Sequence, residues 1–303
     1  MKPSRLVVLL SLLVALLAAV AAGAGLLWPG GEGPTTFVTV RGEAVELYGE
    51  GLYRHDTIFR AGANRGSDLV TLLVGIPLLL VALGLYLRAS LRGALLLAGA
   101  LTWFLYVYAS VALGAAYSGL FLVHVALFSA SLGAFWLLLV GLRPRAVADR
   151  FSERLPRRRI GAFMLACGAV TAGAWLTPLV ASLVAGRPPG LLESYSTMVT
   201  DALDLGVITP ACVVAGVLLL RGDRLGYLVA LPLLVLVAFL APMMAAQTWM
   251  QLGAGYEFSP GQLVGIIGSF GVISLVGAAA AVVVLRGLDE ARGRVTPAAA
   301  APA

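Results

Sequence analysis

The sequence predicts an all-α polytopic membrane protein, a bundle of about eight transmembrane helices with both termini on the inner side. Three observations carry this. First, hydrophobic residues make up 60% of the 303-residue chain and charged residues only 12%, with a mean hydropathy of +0.96. Soluble chains are about 45–50% apolar and about 25% charged, so this one has too little polar surface to cover a water-facing globule. Second, the chain holds long uncharged runs, and a hydrocarbon core about 30 Å thick takes about 20 apolar helical residues. Spanning segments must be helices or closed barrels, because lipid offers backbone groups no partner, and these runs are too long and continuous for barrel strands. Third, Lys and Arg are unevenly placed. With the N-terminus inside, the inner segments hold 16 of the 21 Lys and Arg residues and the outer segments five, as the positive-inside rule requires. The net charge of +6 is therefore a topology signal, and a nucleic-acid partner is excluded.

Residues 1–29 carry the first run, Leu6–Trp28. Lys2 and Arg5 ahead of it, and Ala21-Ala22-Gly23-Ala24 within it, imitate a secretory signal peptide. The length of the run favours an uncleaved anchor, whereas cleavage would leave seven helices and an outer N-terminus. Residues 30–68 form the one long outer segment. Thr35–Val40 and Ala44–Tyr48 around Arg41-Gly42-Glu43 read as a small β-hairpin. A lone hairpin is marginal in water, so it is expected to lie on the bundle. Asp56 reads as the N-cap of a helix entry at Thr57-Ile58-Phe59.

Residues 69–142 hold the runs Leu69–Leu87, Gly93–Tyr117 and Gly119–Leu142. The basic loop 143–159 sets seven Arg against Asp149 and Glu153. It suits retention on the inner side and attraction to anionic inner-leaflet lipids; docking of an acidic partner is the alternative. Residues 160–287 hold Ile160–Ala185, Leu205–Leu220, Leu225–Gln247 and Leu263–Leu285. The second of these is short unless it starts within Asp201–Asp204. Residues 288–303 are an Ala/Pro-rich tail, expected to be disordered.

The two halves share a layout and a spacing. Asp68 precedes Pro77 by nine positions and Pro77 precedes Arg88 by eleven; Asp201, Pro210 and Arg221 repeat both intervals. Ser67 and Thr200 match just upstream. A four-plus-four parallel repeat accounts for this, and chance is the competing account, since Asp and Arg are common at helix ends. Each proline removes a helix hydrogen bond, so kinks are expected at Pro77 and Pro210. Paired Gly/Pro-interrupted spans are the best sequence pointer to a membrane binding site, although packing kinks are commoner for any single proline.

Ionisable groups in the spans are costly and point to function. Here Asp68, His124, Asp201 and Asp204 fall at outer ends or outer thirds of spans, as do Gln247 and Gln251, which share a helix face. Tyr108 lies at a depth similar to that of His124. These seven residues are the candidate ligand-binding set, and any site should open outward between the kinked second and sixth spans. For His124, a bond to a neighbouring Tyr or Ser within a packed bundle is the plainer reading. Charge complementarity suggests that Glu193, Asp201 and Asp204 pair with Arg54, Arg60 or Arg65 to hold the outer segment down.

No metalloprotease, nucleophile-elbow or P-loop motif occurs, so neither catalysis nor a cofactor is implied. Two histidines without ligand spacing imply no metal. Cys167 and Cys212, the two cysteines, lie within spans and read as small core residues. Gly261, Gly265, Gly268, Gly271 and Gly277 give the eighth span a small-residue surface for close packing or for a homo- or hetero-oligomer. Arg outnumbers Lys twenty to one, which suits a GC-rich prokaryotic genome. The functional expectation is a carrier or binding protein for an unidentified small solute or lipid. Its competitor is a non-catalytic membrane subunit or scaffold.

Overall fold

A computed structural model describes residues 2–289. Eight helices are long and apolar enough to cross a membrane: α1 (Arg5–Leu27), α2 (Ile58–Leu87), α3 (Leu91–Gly114), α4 (Phe121–Gly141), α5 (Arg157–Val184), α6 (Val199–Arg221), α7 (Leu225–Gly253) and α8 (Pro260–Arg286). With one two-stranded sheet beside them among the described residues, they make an all-α multi-pass membrane protein. The ends of the bundle are here the hairpin end and the basic end.

α3 and α7 occupy the centre. A helix that is apolar all round belongs inside, and α3 buries Leu95, Leu97, Ala98, Leu101 and Phe104 almost completely. α2 and α4 pack on α3, with α1 against α2 and α4. α6 and α8 flank α7, and α5 lies on α6. Lipid tails are as apolar as Leu, so close helix contacts depend on small residues that let backbones approach. A Cβ on Gly99 of α3 would stand 2.6 Å from a Val235 methyl of α7. Across α2 and α7, Cβ atoms on Gly62 and Gly66 would meet Gln251 and Gln247 backbone atoms at 2.7 and 2.4 Å. On α8, Gly277 meets the Val237 side chain in the same way, whereas Gly261, Gly265, Gly268 and Gly271 face nothing within 4 Å.

α2 begins at Ile58, well before the apolar run at Leu69. Residues 58–68 are amphipathic: Ala61, Gly62, Gly66 and Ser67 are buried, while Arg60, Asn64 and Arg65 remain partly exposed. The N-cap is Thr57, whose hydroxyl accepts from the Arg60 amide at 3.4 Å, and not Asp56.

Both matched prolines follow a π-helical turn, Thr71–Gly75 in α2 and Asp204–Ile208 in α6. The Ile76 amide reaches back to the Thr71 carbonyl, and the Thr209 amide to the Asp204 carbonyl. This widened turn absorbs the loss of the proline N–H inside the helix. Thr71 and Asp204 are 133 positions apart, as are Asp68 and Asp201, and Pro77 and Pro210. α7 breaks in its middle, at Phe239 between two helical segments. Pro242 accounts for this, since it cannot donate to the Ala238 carbonyl one turn back.

At the hairpin end, Thr35–Val38 pairs antiparallel with Ala44–Leu47, with Thr35 opposite Leu47. The first strand is exposed throughout, while alternate residues of the second are half-buried. Its base is fixed by backbone bonds from Tyr48 to Asp56, from Gly49 to Arg54 and from Gly51 to Gly30. Its tip reaches the loop after α5, where Arg41 donates to the Glu193 and Tyr195 carbonyls. Asp56 is 1% exposed and accepts through Oδ1 from the Ala116 amide at 2.8 Å and the Tyr195 hydroxyl at 2.7 Å. It thereby ties the outer segment to two other loops.

At the basic end, a short helix, Pro144–Ala148, leads to fully buried Phe151, which packs on Tyr227 with ring centroids 4.8 Å apart. Leu288 pairs with Phe151 and Asp289 donates to the Arg150 carbonyl. These two residues, placed in the tail by sequence, are thus held by the basic loop; 290–303 lie outside the described residues.

Two predictions follow from these contacts. Gly66→Val should force α2 from α7 and lower the melting temperature of the detergent-solubilised protein, since overpacking costs about 1–3 kcal/mol; unchanged melting would contradict the close crossing. Burial, opposed by the Tyr195 and Ala116 bonds, lifts the Asp56 carboxyl from 3.8 to about 6. The acid form is therefore favoured in the folded state. Its stabilisation is whole below the unfolded value and is lost as pH rises through the folded one. Asp56→Asn mimics the acid and keeps the Oδ1 acceptor, so it should raise stability near neutral pH, on the order of 2–3 kcal/mol, and flatten its fall between about pH 4 and 6. Melting curves across that interval check this, and parallel curves for both proteins would refute it.

Candidate functional site

The hairpin-end half of the bundle encloses a cavity of about 320 Å³. α2 contributes Arg60, Asn64 and Ser67, and α3 contributes Tyr106 and Ser110. α6 brings Thr200, Asp201 and Asp204, and α7 brings Met243, Gln247 and Gln251. Trp175 of α5 and Phe270 of α8 complete the wall. Below it, a smaller apolar chamber of about 130 Å³ shares Tyr106, Trp175, Asp204 and Phe270 and continues past Trp103, Cys167, Val170, Cys212 and Ile273. The combination of apolar wall and few polar groups is that of a ligand pocket.

Asp204 opens the α6 π turn, and both of its carboxylate oxygens are engaged. Tyr106 Oη donates to Oδ1 at 2.9 Å and Trp175 Nε1 donates to Oδ2 at 2.8 Å. One turn earlier, Asp201 is 4% exposed and its Oδ2 has no partner. Arg60 donates from Nη1 to Thr200 Oγ1 at 3.1 Å, and its guanidinium lies 5.1 Å from the Tyr195 ring centroid. Among the described residues its Nε has no partner, nor has Asn64 Nδ2. Two donors and one acceptor are thus left unsatisfied in one cavity wall, where leaving such groups unmade is costly.

Gln247 and Gln251 line the same space but hold α2 to α7: Gln247 Nε2 donates to Ser67 Oγ at 2.9 Å and Gln251 Nε2 to the Phe59 carbonyl at 3.1 Å. Above the cavity, Phe59, Tyr256 and Phe258 form an aromatic rim with centroids 5.0 and 4.9 Å apart. Glu193, on the loop beside it, accepts from Thr57 Oγ1 at 2.5 Å, and burial raises its pKa. The expected ion pairs from Glu193, Asp201 or Asp204 to Arg54, Arg60 or Arg65 do not form among the described residues. Arg60 instead uses a threonine hydroxyl and an aromatic face.

The other three sequence candidates lie elsewhere. Tyr108 is two residues beyond Tyr106, about 200° round the helix, so it faces α4. There its ring stacks beside His124 at a centroid separation of 6.2 Å, and neither residue lines the cavity. Among the described residues His124 Nε2 and Tyr108 Oη are both buried without partners, so Tyr108 does not supply the bond to a neighbouring Tyr or Ser expected for His124. Asp68 faces α1, where it accepts from Tyr53 Oη at 2.7 Å and sits where a Cβ on Gly25 would be. The cavity is framed by α2, α3, α5, α6, α7 and α8, and α4 has no part in it. Cys167 and Cys212 are free, buried and on the chamber wall.

Arg60, Asn64, Trp175 and Phe270 are site residues that the candidate set lacked. Arg60 and Asn64 were legible as the polar stripe of an amphipathic segment, but Trp175 and Phe270 carried no signal beyond being aromatic.

No protein-family model, curated protein or solved structure matches the chain.

Asp204→Ala should strand the Tyr106 hydroxyl and the Trp175 indole, each at about 1–3 kcal/mol, and lower the melting temperature. Asp204→Asn, which keeps an acceptor, should cost less. Equal melting of both variants and the parent would contradict this account of the carboxylate.

Proposed function

We propose that this membrane protein binds a small amphipathic molecule in the cavity around Asp201 and Asp204, reached from the hairpin end. The observation that carries the reading is the trio of unsatisfied buried atoms, Arg60 Nε, Asn64 Nδ2 and Asp201 Oδ2, in the wall of one cavity. A ligand head that accepts from the first two and donates to the third would satisfy all of them. The volume, about 320 Å³, is at the lower bound for a drug-sized ligand, about 300 Å³.

The concentration of Lys and Arg at the other end of the bundle supports an exoplasmic hairpin end, with both termini in the cytoplasm of a cell membrane. We read the common displacement of Asp68/Asp201, Pro77/Pro210 and the two π turns as a tandem duplication of four helices. In the first half Tyr53 donates to Asp68, and in the second the matching Asp201 keeps an Oδ2 without a partner among the described residues. Binding is the function; carriage across the membrane extends it, and the basic loop suits anionic lipid at the inner face.

The test is thermal stability of the purified protein against short-chain amphiphiles with zwitterionic, anionic or sugar heads. A ligand at 100 times its dissociation constant stabilises by about 2.7 kcal/mol. One class should raise the melting temperature, and Arg60→Gln combined with Asp201→Asn should abolish the rise. No response in the parent protein, or an undiminished one in the double variant, would refute the site. A subunit or scaffold role is the second reading, favoured by the four α8 glycines that face open space. Failure of every amphiphile together with a dimer lost on Gly265→Leu would favour it.

A further inference from the structure

The cavity is continued by the apolar chamber, and that chamber reaches the lipid-facing surface. α5 and α8 stand on either side of it without packing extensively on one another. Val170 of α5 lines it and is nevertheless 55% exposed, which places a mouth at that residue. Val170 lies midway along Arg157–Val184, and Ile273, on the opposite wall, midway along Pro260–Arg286. In a spanning bundle both are at the middle of the bilayer, where the neighbouring phase is hydrocarbon.

Resting on the binding function above, we propose that the ligand is a bilayer lipid, with its head at Arg60, Asn64 and Asp201 and one chain running through the chamber to the α5–α8 seam. The chemistry along the path changes in the order that such a molecule needs. Charged and amide groups give way to Tyr106, Trp175 and Asp204, then to Trp103, Val170, Cys212 and Ile273. A water-soluble solute could satisfy the polar wall but would leave the chamber below it unfilled, forfeiting contacts on every lining atom. A chain moving there from the bilayer exchanges one apolar environment for another, so head hydrogen bonds supply the selectivity. The head must both donate and accept, which an ethanolamine phosphodiester does: its phosphate oxygens meet the Arg60 and Asn64 donors and its ammonium meets the Asp201 carboxylate.

The experiment is photolabelling of the full-length protein in phosphatidylcholine vesicles containing phosphatidylethanolamine with a diazirine midway along one chain. Labelled positions are read by peptide mass spectrometry. Label is expected on chamber residues such as Ile273 and Cys212 as well as on lipid-facing residues at mid-chain depth such as Trp136 of α4. Val170→Trp, at an exposed position, should remove the chamber label and leave the Trp136 label, which serves as the control for a folded, inserted protein. Label confined to lipid-facing positions of the parent protein would overturn the chain path whatever the variant does, and so would a chamber label unaffected by Val170→Trp. Short-chain phosphatidylethanolamine separates this from failure of the binding site. Stabilisation that depends on Arg60 and Asp201 without chamber label would sink the chain path alone. Absence of both would sink the site with it.

Discussion

The constraint beneath the whole structure is that a backbone carbonyl inside a membrane must find its partner within the protein. Proline breaks that rule locally, and α2 and α6 meet the break in the same way, by widening one turn at Thr71–Gly75 and at Asp204–Ile208. A π turn inserts one residue into the helical count, which swings everything upstream by about 100° relative to a regular helix. Asp201 and Thr200 reach the cavity wall while Cys212 and Gly216 still bury their own face. The candidate site is thus a product of backbone accounting as much as of side-chain choice.

Much of the fold was legible because lipid simplifies the code. Run length gave the eight helices, and proline spacing gave the two irregular turns, though not that they would be π turns. The rotation of each helix about its axis was not legible. In α3 and α4 almost every position is apolar, so no stripe distinguishes the side facing a cavity from the side facing another helix. Depth along the bundle could therefore group His124, Tyr108 and Asp68 with Asp204, but it could not tell that α3 stands between them. Asp201, Gln247 and Gln251 were found because depth and facing coincided. Arg60 and Asn64 were missed for the opposite reason: an arginine marks the edge of an apolar run, yet the helix continues past it on glycine and alanine contacts with α7.

The hairpin end is held without the ion pairs that charge counting suggested. Arg41 binds carbonyl oxygens, Arg60 a hydroxyl and a ring, and Asp56 a hydroxyl and an amide. A buried ion pair recovers its desolvation cost only with excellent geometry, whereas neutral partners let a single charge be solvated by oriented dipoles. The arrangement also leaves part of Arg60 and Asp201 uncommitted.

Trp103 touches both interruptions at once. Its indole donates to Thr71 Oγ1 at 3.2 Å, and its ring stacks on Phe239, at the break in α7, with centroids 4.3 Å apart. Above that level, Gly62 and Gly66 lock α2 to Gln251 and Gln247 of α7. The upper parts of these two helices therefore form one leaf with two flexure points at the same depth and a shared pivot in Trp103. Any breathing of the cavity would be a swing of that leaf, with the lower bundle as its fixed frame.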